Sequence, residues 1–381
     1  MTLLARLRRL WLDVHLWIGA GLLVALIPLS VTGSVLVWHD QIDRALYAQR
    51  YATSGPSASR PVGDYAQAAQ AAFGERAQLT QIRLPQEAGD PVVAVGRLRG
   101  EPGPGGRPRT LNAWIDPPTA KVLDTAEVAK GFTMVMHRVH GSLLIPEIGR
   151  KVVGWLGWAM FISCATGLWL WWPRHGGFLK GLRWRRGAST LFNLHHLVGF
   201  WVCIPLAVLS LTGVYISFPQ TSRALFGLPQ PPPRNAPGRF APPLPETRLT
   251  LSQAVAAAQA KAPDAALAEV SVPTQGKEPA WRVGLKAPGE ARPRTIQVVD
   301  ATGEAKAGRS GGDGPGAGPG GGRPDEISPL MRRIHDGAGM GIVWQVIIFV
   351  GGLAPALLGI SGVVMWLRRR ARRRAIQHGL A

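Results

Sequence analysis

Four stretches of this 381-residue chain, 16–37, 152–172, 197–218 and 342–367, contain no charged residue. Each meets the roughly 20 residues that an α-helix needs to cross a hydrocarbon core of about 30 Å. Within a bilayer no water satisfies the backbone, so a run of this kind must pair its own amides as a helix. The sequence therefore predicts four transmembrane helices, with the lipid bilayer as the first partner. Pro28, Gly157, Pro205 and Pro355 fall inside the runs, where neighbouring helices compensate for weakened backbone bonding. Trp11, Trp38, Trp171, Trp172 and Trp366 stand at their ends, the depth of an interfacial aromatic belt. The first run is longer than the apolar part of a cleavable signal peptide and no small-residue cleavage site follows Trp38, so it is expected to be retained as an anchor.

The formal net charge of +20 is placed beside these runs. Arg6, Arg8 and Arg9 precede the first; Arg174, Lys180, Arg183, Arg185 and Arg186 separate the second from the third; Arg368, Arg369, Arg370, Arg372, Arg373 and Arg374 follow the fourth. The positive-inside rule puts both termini and the short middle loop in the cytoplasm. Nucleic acid is excluded as a partner, because binding it needs a soluble basic face, which this distribution does not offer.

Four of the nine histidines fall into two matched pairs. His15 lies eighteen residues before Gly33, and His195 eighteen before Gly213; a shift of 180 superimposes them. His140 lies twenty-seven residues before Gly167, and His335 twenty-seven before Gly362; here the shift is 195. The same shifts set His39, His196, His137 and His175 against Pro219, Leu16, Arg332 and Arg370, and His378 sits in the basic tail. The chain thus reads as an internal duplication that keeps one histidine beside each apolar run. An ionisable side chain at such depth is a functional candidate by default, and imidazole is a standard axial ligand of haem iron. Two haems are expected, with iron held by His15 and His195 at the cytoplasmic end and by His140 and His335 at the other. A single interfacial histidine is more often a hydrated surface residue, the role expected for His39, His175 and, taken singly, His196. His196 and His137 stand as reserve ligands, His137 because residues three apart share a helix face with His140.

Twenty-seven residues of unbroken helix would span about 40 Å, more than a bilayer core. A bend is therefore expected at Pro146 in the first half and at Gly337, Gly339 and Gly341 in the second. Thr32, Thr166 and Thr212, each before a helix glycine, read as packing residues that allow close helix approach. Arg138, Arg332 and Arg333 lie beside the outer histidines and suit either a haem propionate or anionic chelate, or interfacial anchoring. Cys164 and Cys203 fall inside the second and third runs and read as small packing residues. No Cys-x-x-Cys-His motif occurs, so covalently attached c-type haem is excluded. No glycine-rich fingerprint stands between a strand and a helix, which leaves no flavin or nicotinamide site.

The two segments between the paired runs share a pattern. In the first, a helix over 65–73 precedes strands over 79–84, 91–98 and 110–115; in the second, a helix over 252–260 precedes strands over 269–272, 281–285 and 295–299. Each reads as a small α+β module. The Pro- and Gly-rich stretches 229–245, 311–322 and 101–108 read as spacers or loops.

The segments His15-Leu16-Trp17-Ile18-Gly19, His140-Gly141-Ser142-Leu143-Leu144 leading to Gly149-Arg150, Leu194-His195-His196-Leu197-Val198-Gly199, and Thr166-Gly167-Leu168-Trp169-Leu170-Trp171-Trp172-Pro173-Arg174 resemble the PepSY-associated transmembrane family. The resemblance covers nearly the whole chain and is strongest in the helices. Members resemble bacterial inner-membrane ferric-siderophore reductases, the ferrioxamine type being nearest in length and layout. For this chain it implies a membrane all-α four-helix core with two small α+β PepSY-like periplasmic modules, b-type haem, and one-electron reduction of siderophore iron. The expected order is a tail and first helix (1–39), a periplasmic module (40–139), the second helix with its lead-in (140–173), a cytoplasmic loop (174–190), the third helix (191–218), a second periplasmic module (219–334), the fourth helix (335–367) and a basic cytoplasmic tail (368–381). Two functions stand open. One is a di-haem electron carrier that takes electrons from a quinol or a cytoplasmic reductase and reduces a ferric siderophore, of hydroxamate type, in the periplasm; Fe(III) is the harder cation and oxygen chelators hold it more tightly than Fe(II). The other is a haem-free membrane anchor whose modules bind peptides or regulate a protease.

Overall fold

The computed structural model describes residues 3–377 apart from 101, 104–105, 174–176, 188, 229, 231–239, 291–292 and 308–324. The spacer expected over 311–322, most of that over 229–245, and His175 and His378 lie outside the described residues. The helices are α1 (Leu3–Val37), α2 (His39–Leu46), α3 (Val62–Phe73), α4 (Phe132–Ser142), α5 (Gly149–Trp171), α6 (Phe178–Gly181), α7 (Thr190–Ser217), α8 (Pro219–Leu225), α9 (Leu251–Gln259), α10 (Ile327–Asp336) and α11 (Ile342–Gln377). The strands are β1 (Ala77–Arg83), β2 (Val92–Leu98), β3 (Thr110–Ile115), β4 (Val122–Ala126), β5 (Ala266–Ser271), β6 (Ala280–Lys286), β7 (Arg294–Val299) and β8 (Ala305–Ala307). They divide into two units, one made of Met1–His39, Val135–Gly227 and Glu326–Ala381, the other of Asp40–Met134 and Leu228–Asp325.

The first unit is a four-helix bundle. Among the described residues, α1, α5, α7 and α11 are the helices long and apolar enough to cross a membrane, and each contains one of the four uncharged runs. α1 packs on α5 and α11, and α7 packs on the same two, so the four close into a ring. Many of the residues buried between them are small or hydroxylic, including Ser30, Thr32, Ser34, Thr166, Ser210 and Thr212, whereas Val24, Trp155, Ile204 and Leu357 face outward. This distribution suits lipid, where large apolar chains are at home outside and small residues let helices approach. Gly352 sits against the Ser34 hydroxyl, which donates to the Phe349 carbonyl at 3.0 Å.

Both expected bends are present. α4 ends at Ser142 and α5 begins at Gly149; between them Leu143, Leu144 and Glu147 hold positive φ of 51°, 58° and 56°. The second half makes the same break between α10 and α11 with Gly337, Gly339 and Gly341 at 81°, 67° and 82°, where glycine adopts the left-handed region without a Cβ penalty. Arg333 donates to the carbonyls of Ala338 at 3.3 Å and Gly339 at 3.1 Å, so it fixes this turn.

The second unit is one antiparallel eight-stranded sheet in the order β4-β3-β2-β1-β5-β6-β7-β8. The two α+β patterns expected to be separate modules thus share one sheet. β1 and β5 pair across the junction with Ile82 opposite Val270, and Gln81 donates to the Glu269 carboxylate at 3.0 Å. Left alone, each would be an edge strand with unpaired backbone groups, and the pairing removes both edges. Tyr65, Ala69 and Phe73 of α3, one helical face at i, i+4 and i+8, join Ala254, Val255 and Ala258 of α9 and the inward residues of the strands in one core. Two short strands the sequence pattern missed, β4 and β8, close the outer edges.

β4 and β8 each follow a buried aspartate. Asp116 accepts from Ser54 N at 2.7 Å and Ser54 Oγ at 2.6 Å, and also from Thr119. Asp300 accepts from Arg248 N at 2.9 Å, Leu249 N at 3.2 Å and Trp281 Nε1 at 2.9 Å. Burial alone would raise both carboxyls, but these hydrogen bonds outweigh it and hold both below the ordinary aspartate range. A folded-state pKa below the unfolded one contributes stability that is full above the unfolded value and lost as pH falls through the folded one. The sheet unit is therefore expected to keep its stability down to about pH 4 and to lose it below. Asp300→Ala, which strands three donors, should cost about 2–3 kcal/mol. Hydrogen exchange of peptides from strands β6 and β7, compared between variant and parent, checks this; unchanged protection would contradict it.

Candidate histidine-pair sites

The helical unit brings the four repeat-related histidines together in twos. His15 on α1 faces His195 on α7 with ring centroids 6.5 Å apart and planes at 89°. His140 on α4 faces His335 on α10 at 6.0 Å and 45°. His15 and His195 lie near the starts of the long helices, and the other two lie on the short helices that precede α5 and α11. The 18 residues from His15 to Gly33, against which His140 packs, separate the two levels by about 27 Å along α1.

Each ring is seated the same way. Gly167 leaves room for His15, Gly362 for His195, Gly33 for His140 and Gly213 for His335: a Cβ on those glycines would meet the ring's Cε1 at 3.1, 3.6, 2.7 and 3.1 Å. These are the four glycines that marked the repeat in the sequence. In front of each stands a hydroxyl residue, Thr166, Ser361, Thr32 or Thr212. Each hydroxyl donates back into its own helix: Thr166, Thr32 and Thr212 to the carbonyls four residues back, Ile162 at 2.9 Å, Pro28 at 2.6 Å and Val208 at 2.8 Å, with the carbonyl three residues back farther, and Ser361 to Leu358 three residues back at 2.9 Å.

That donation decides the tautomer of the rings. With its proton on a carbonyl, the hydroxyl can only accept from the imidazole. His15 Nδ1 donates to Ser163 O and Thr166 Oγ1, both at 3.1 Å. His195 Nδ1 donates to Ser361 Oγ at 2.8 Å and His335 Nδ1 to Thr212 Oγ1 at 3.0 Å. His140 Nδ1 donates directly to Leu29 O at 3.0 Å. All four rings therefore carry their proton on Nδ1, and Nε2 keeps a bare lone pair with no partner among the described residues. A second-shell acceptor on one nitrogen raises the basicity of the other and fixes the ring's orientation. Crowding by protein pushes His335 down to about 4, and His140 is lowered for the same reason, so this pair is neutral at pH 7, the form a metal requires.

The remaining histidines are placed differently. His137 does not face His335; burial, and then the positive charge of Arg332, lowers its pKa. His196 stacks on Phe192 at 5.6 Å and Trp171 at 6.0 Å, and its Nε2 is engaged by Arg186. His39, the first residue of α2, is tied through Nδ1 to the Leu36 carbonyl near the end of α1 at 3.0 Å. Arg8 and Arg186 reach the last carbonyls of α5, at Leu170 and Trp171, at 2.6 and 2.8 Å, complementing the negative end of its dipole. Sequence reasoning missed the hydroxyls: Thr166 and Thr212 are packing residues as expected, but they also hold the rings. The available signal was a Ser/Thr-Gly step in every one of the four long helices.

Each pair offers two imidazoles, and among the described residues no group of three or more His, Cys, Asp or Glu side chains is assembled. A protein-held zinc ion takes at least three protein donors, and two imidazoles alone fall short of that, so the pairs suit a metal that brings further ligands of its own. The spacing agrees: two metal–nitrogen bonds of about 2 Å plus about 1 Å from each nitrogen to its ring centre make about 6 Å.

The model of the PepSY-associated TM region matches residues 12–369, and the chain belongs to that family. No curated protein matches it.

Proposed function

We propose that this membrane protein is a two-haem electron carrier that reduces the iron of a ferric siderophore. The observation that supports it most is the pair of adjacent imidazoles at each of two levels, every Nδ1 held and every Nε2 bare. His15 and His195 would hold one b-type haem, and His140 and His335 the other. Bound there, haem supplies a reversible one-electron change at iron. The chain's own residues set the ligating nitrogen, the neutral state of the outer imidazoles and the room for the rings.

The basic segments favour a bacterial inner membrane with both termini inside; on that topology the segments 40–134 and 228–325, and the short helices α4 and α10, would be periplasmic. A helix glycine against each of the four histidine rings, at matched positions in the two halves, favours an internal duplication. One electron delivered to a ferric chelate yields the ferrous chelate, and oxygen chelators of hydroxamate type release Fe(II) more readily. The electron comes from a quinol or a cytoplasmic reductase.

A reduced-minus-oxidised spectrum of protein purified after haem-replete expression, with haem quantified per chain, tests the proposal. About two noncovalent b-type haems per chain are expected from the two pairs. A ratio well below one would favour the haem-free anchor whose sheet unit binds peptides.

A further inference from the structure

We infer that Thr166, Ser361 and Thr212 are positioning residues that lock the ligand planes, and that they hold the inner and outer pairs at different mutual angles. This rests on the two-haem proposal. An imidazole on a helix has a broad, soft torsion about its Cβ–Cγ bond, so facing another ring does not by itself fix its plane. Here two contacts remove that freedom at each ring: the helix glycine against Cε1 and an acceptor on Nδ1. The acceptors differ among the four positions. Ser361 and Thr212 bond their rings directly and Thr166 shares the His15 Nδ1 proton with the Ser163 carbonyl, both at 3.1 Å, whereas Thr32, at the equivalent place beside His140, bonds Pro28 O at 2.6 Å and Leu29 O at 3.4 Å and leaves the Leu29 carbonyl alone to take the ring.

The outcome is a crossed inner pair, at 89°, and an outer pair at 45°. The angle between axial imidazole planes decides how evenly they donate into the two out-of-plane d orbitals of a low-spin ferric iron. Crossed planes leave those orbitals nearly equal in energy and give a strongly anisotropic resonance; planes closer to parallel split them and give a rhombic one. The two sites should therefore be spectroscopically distinct, and each hydroxyl should control one of the two signals.

Low-temperature electron paramagnetic resonance of the oxidised full-length protein in detergent reads this, with haem content measured on the same samples. The parent should show two low-spin signals of about equal weight, one strongly anisotropic and one rhombic. Thr166→Val, which keeps the side-chain shape and removes the hydroxyl, and Ser361→Ala should shift or broaden the anisotropic signal alone. Thr212→Val should do so to the rhombic signal, Thr166→Ser should restore the parent spectrum, and Thr32→Val should leave both signals in place. If a valine variant sheds its haem while the serine variant keeps it, the hydroxyl is again the cause and the assignment stands. Two haems with identical signals, or hydroxyl variants that hold both haems with unaltered spectra, would overturn the inference and leave the two-haem proposal intact. A parent free of haem would overturn both.

Discussion

His335→Ala is expected to remove one of two haems and leave the other, lowering the ratio from about two to about one per chain. His335 stands opposite His140 at 6.0 Å and is tied through Nδ1 to Thr212. Loss of one axial ligand from such a pair leaves no second donor, because no third His, Cys, Asp or Glu joins it among the described residues. The inner pair should be untouched: it lies about 27 Å away along α1, and effects at that separation add independently. Dithionite-reduced parent protein should be reoxidised rapidly by a ferric hydroxamate, and His335→Ala at least about tenfold more slowly, a barrier increase of about 1.4 kcal/mol. The same chelator loaded with gallium, matched to Fe(III) in charge and size but unable to take the electron, should leave both reduced. Equal reoxidation by the two chelates would count against ferric reduction. Should His137→Ala rather than His140→Ala abolish the outer haem, the partner of His335 would have been misassigned.

The four seat glycines should respond to alanine in a graded order set by the room each has. A Cβ at Gly33 would stand 2.7 Å from the His140 ring, a separation that forces displacement; at Gly167 and Gly213 it would stand at 3.1 Å, and at Gly362 at 3.6 Å, ordinary contact. Overpacking of this sort costs about 1–3 kcal/mol, or about 5- to 150-fold in affinity for whatever the displaced ring holds. Gly33→Ala should therefore weaken retention of the outer haem most, Gly167→Ala and Gly213→Ala should be intermediate at the inner and outer sites, and Gly362→Ala should be close to parent. Haem loss to an excess of apomyoglobin ranks the four on one scale. A flat series, or one led by Gly362→Ala, would show that the glycines serve helix packing alone.

The four spans were legible in the sequence because an uncharged run of such length has one way to satisfy its backbone in lipid. The four histidines were legible too, since matched spacing against Gly33, Gly213, Gly167 and Gly362 singles them out from the other five. So were most strands of the sheet unit and its helices α3 and α9, where periodicity and turn residues act locally. Other features depend on residues far apart in the chain. The joining of the two α+β patterns into one sheet rests on Ile82 pairing with Val270, nearly two hundred positions on, and an edge strand carries no local mark of its eventual neighbour. β8 is three residues long, too short to show alternation. Which histidine faces His335, and that Arg186 occupies His196, followed only from the bends after α4 and α10 and from helix packing. The hydroxyls show the division most plainly. The sequence determined that a Ser or Thr stands before each glycine; the bundle decided which of them an imidazole meets, because that depends on the neighbouring helix laid against it.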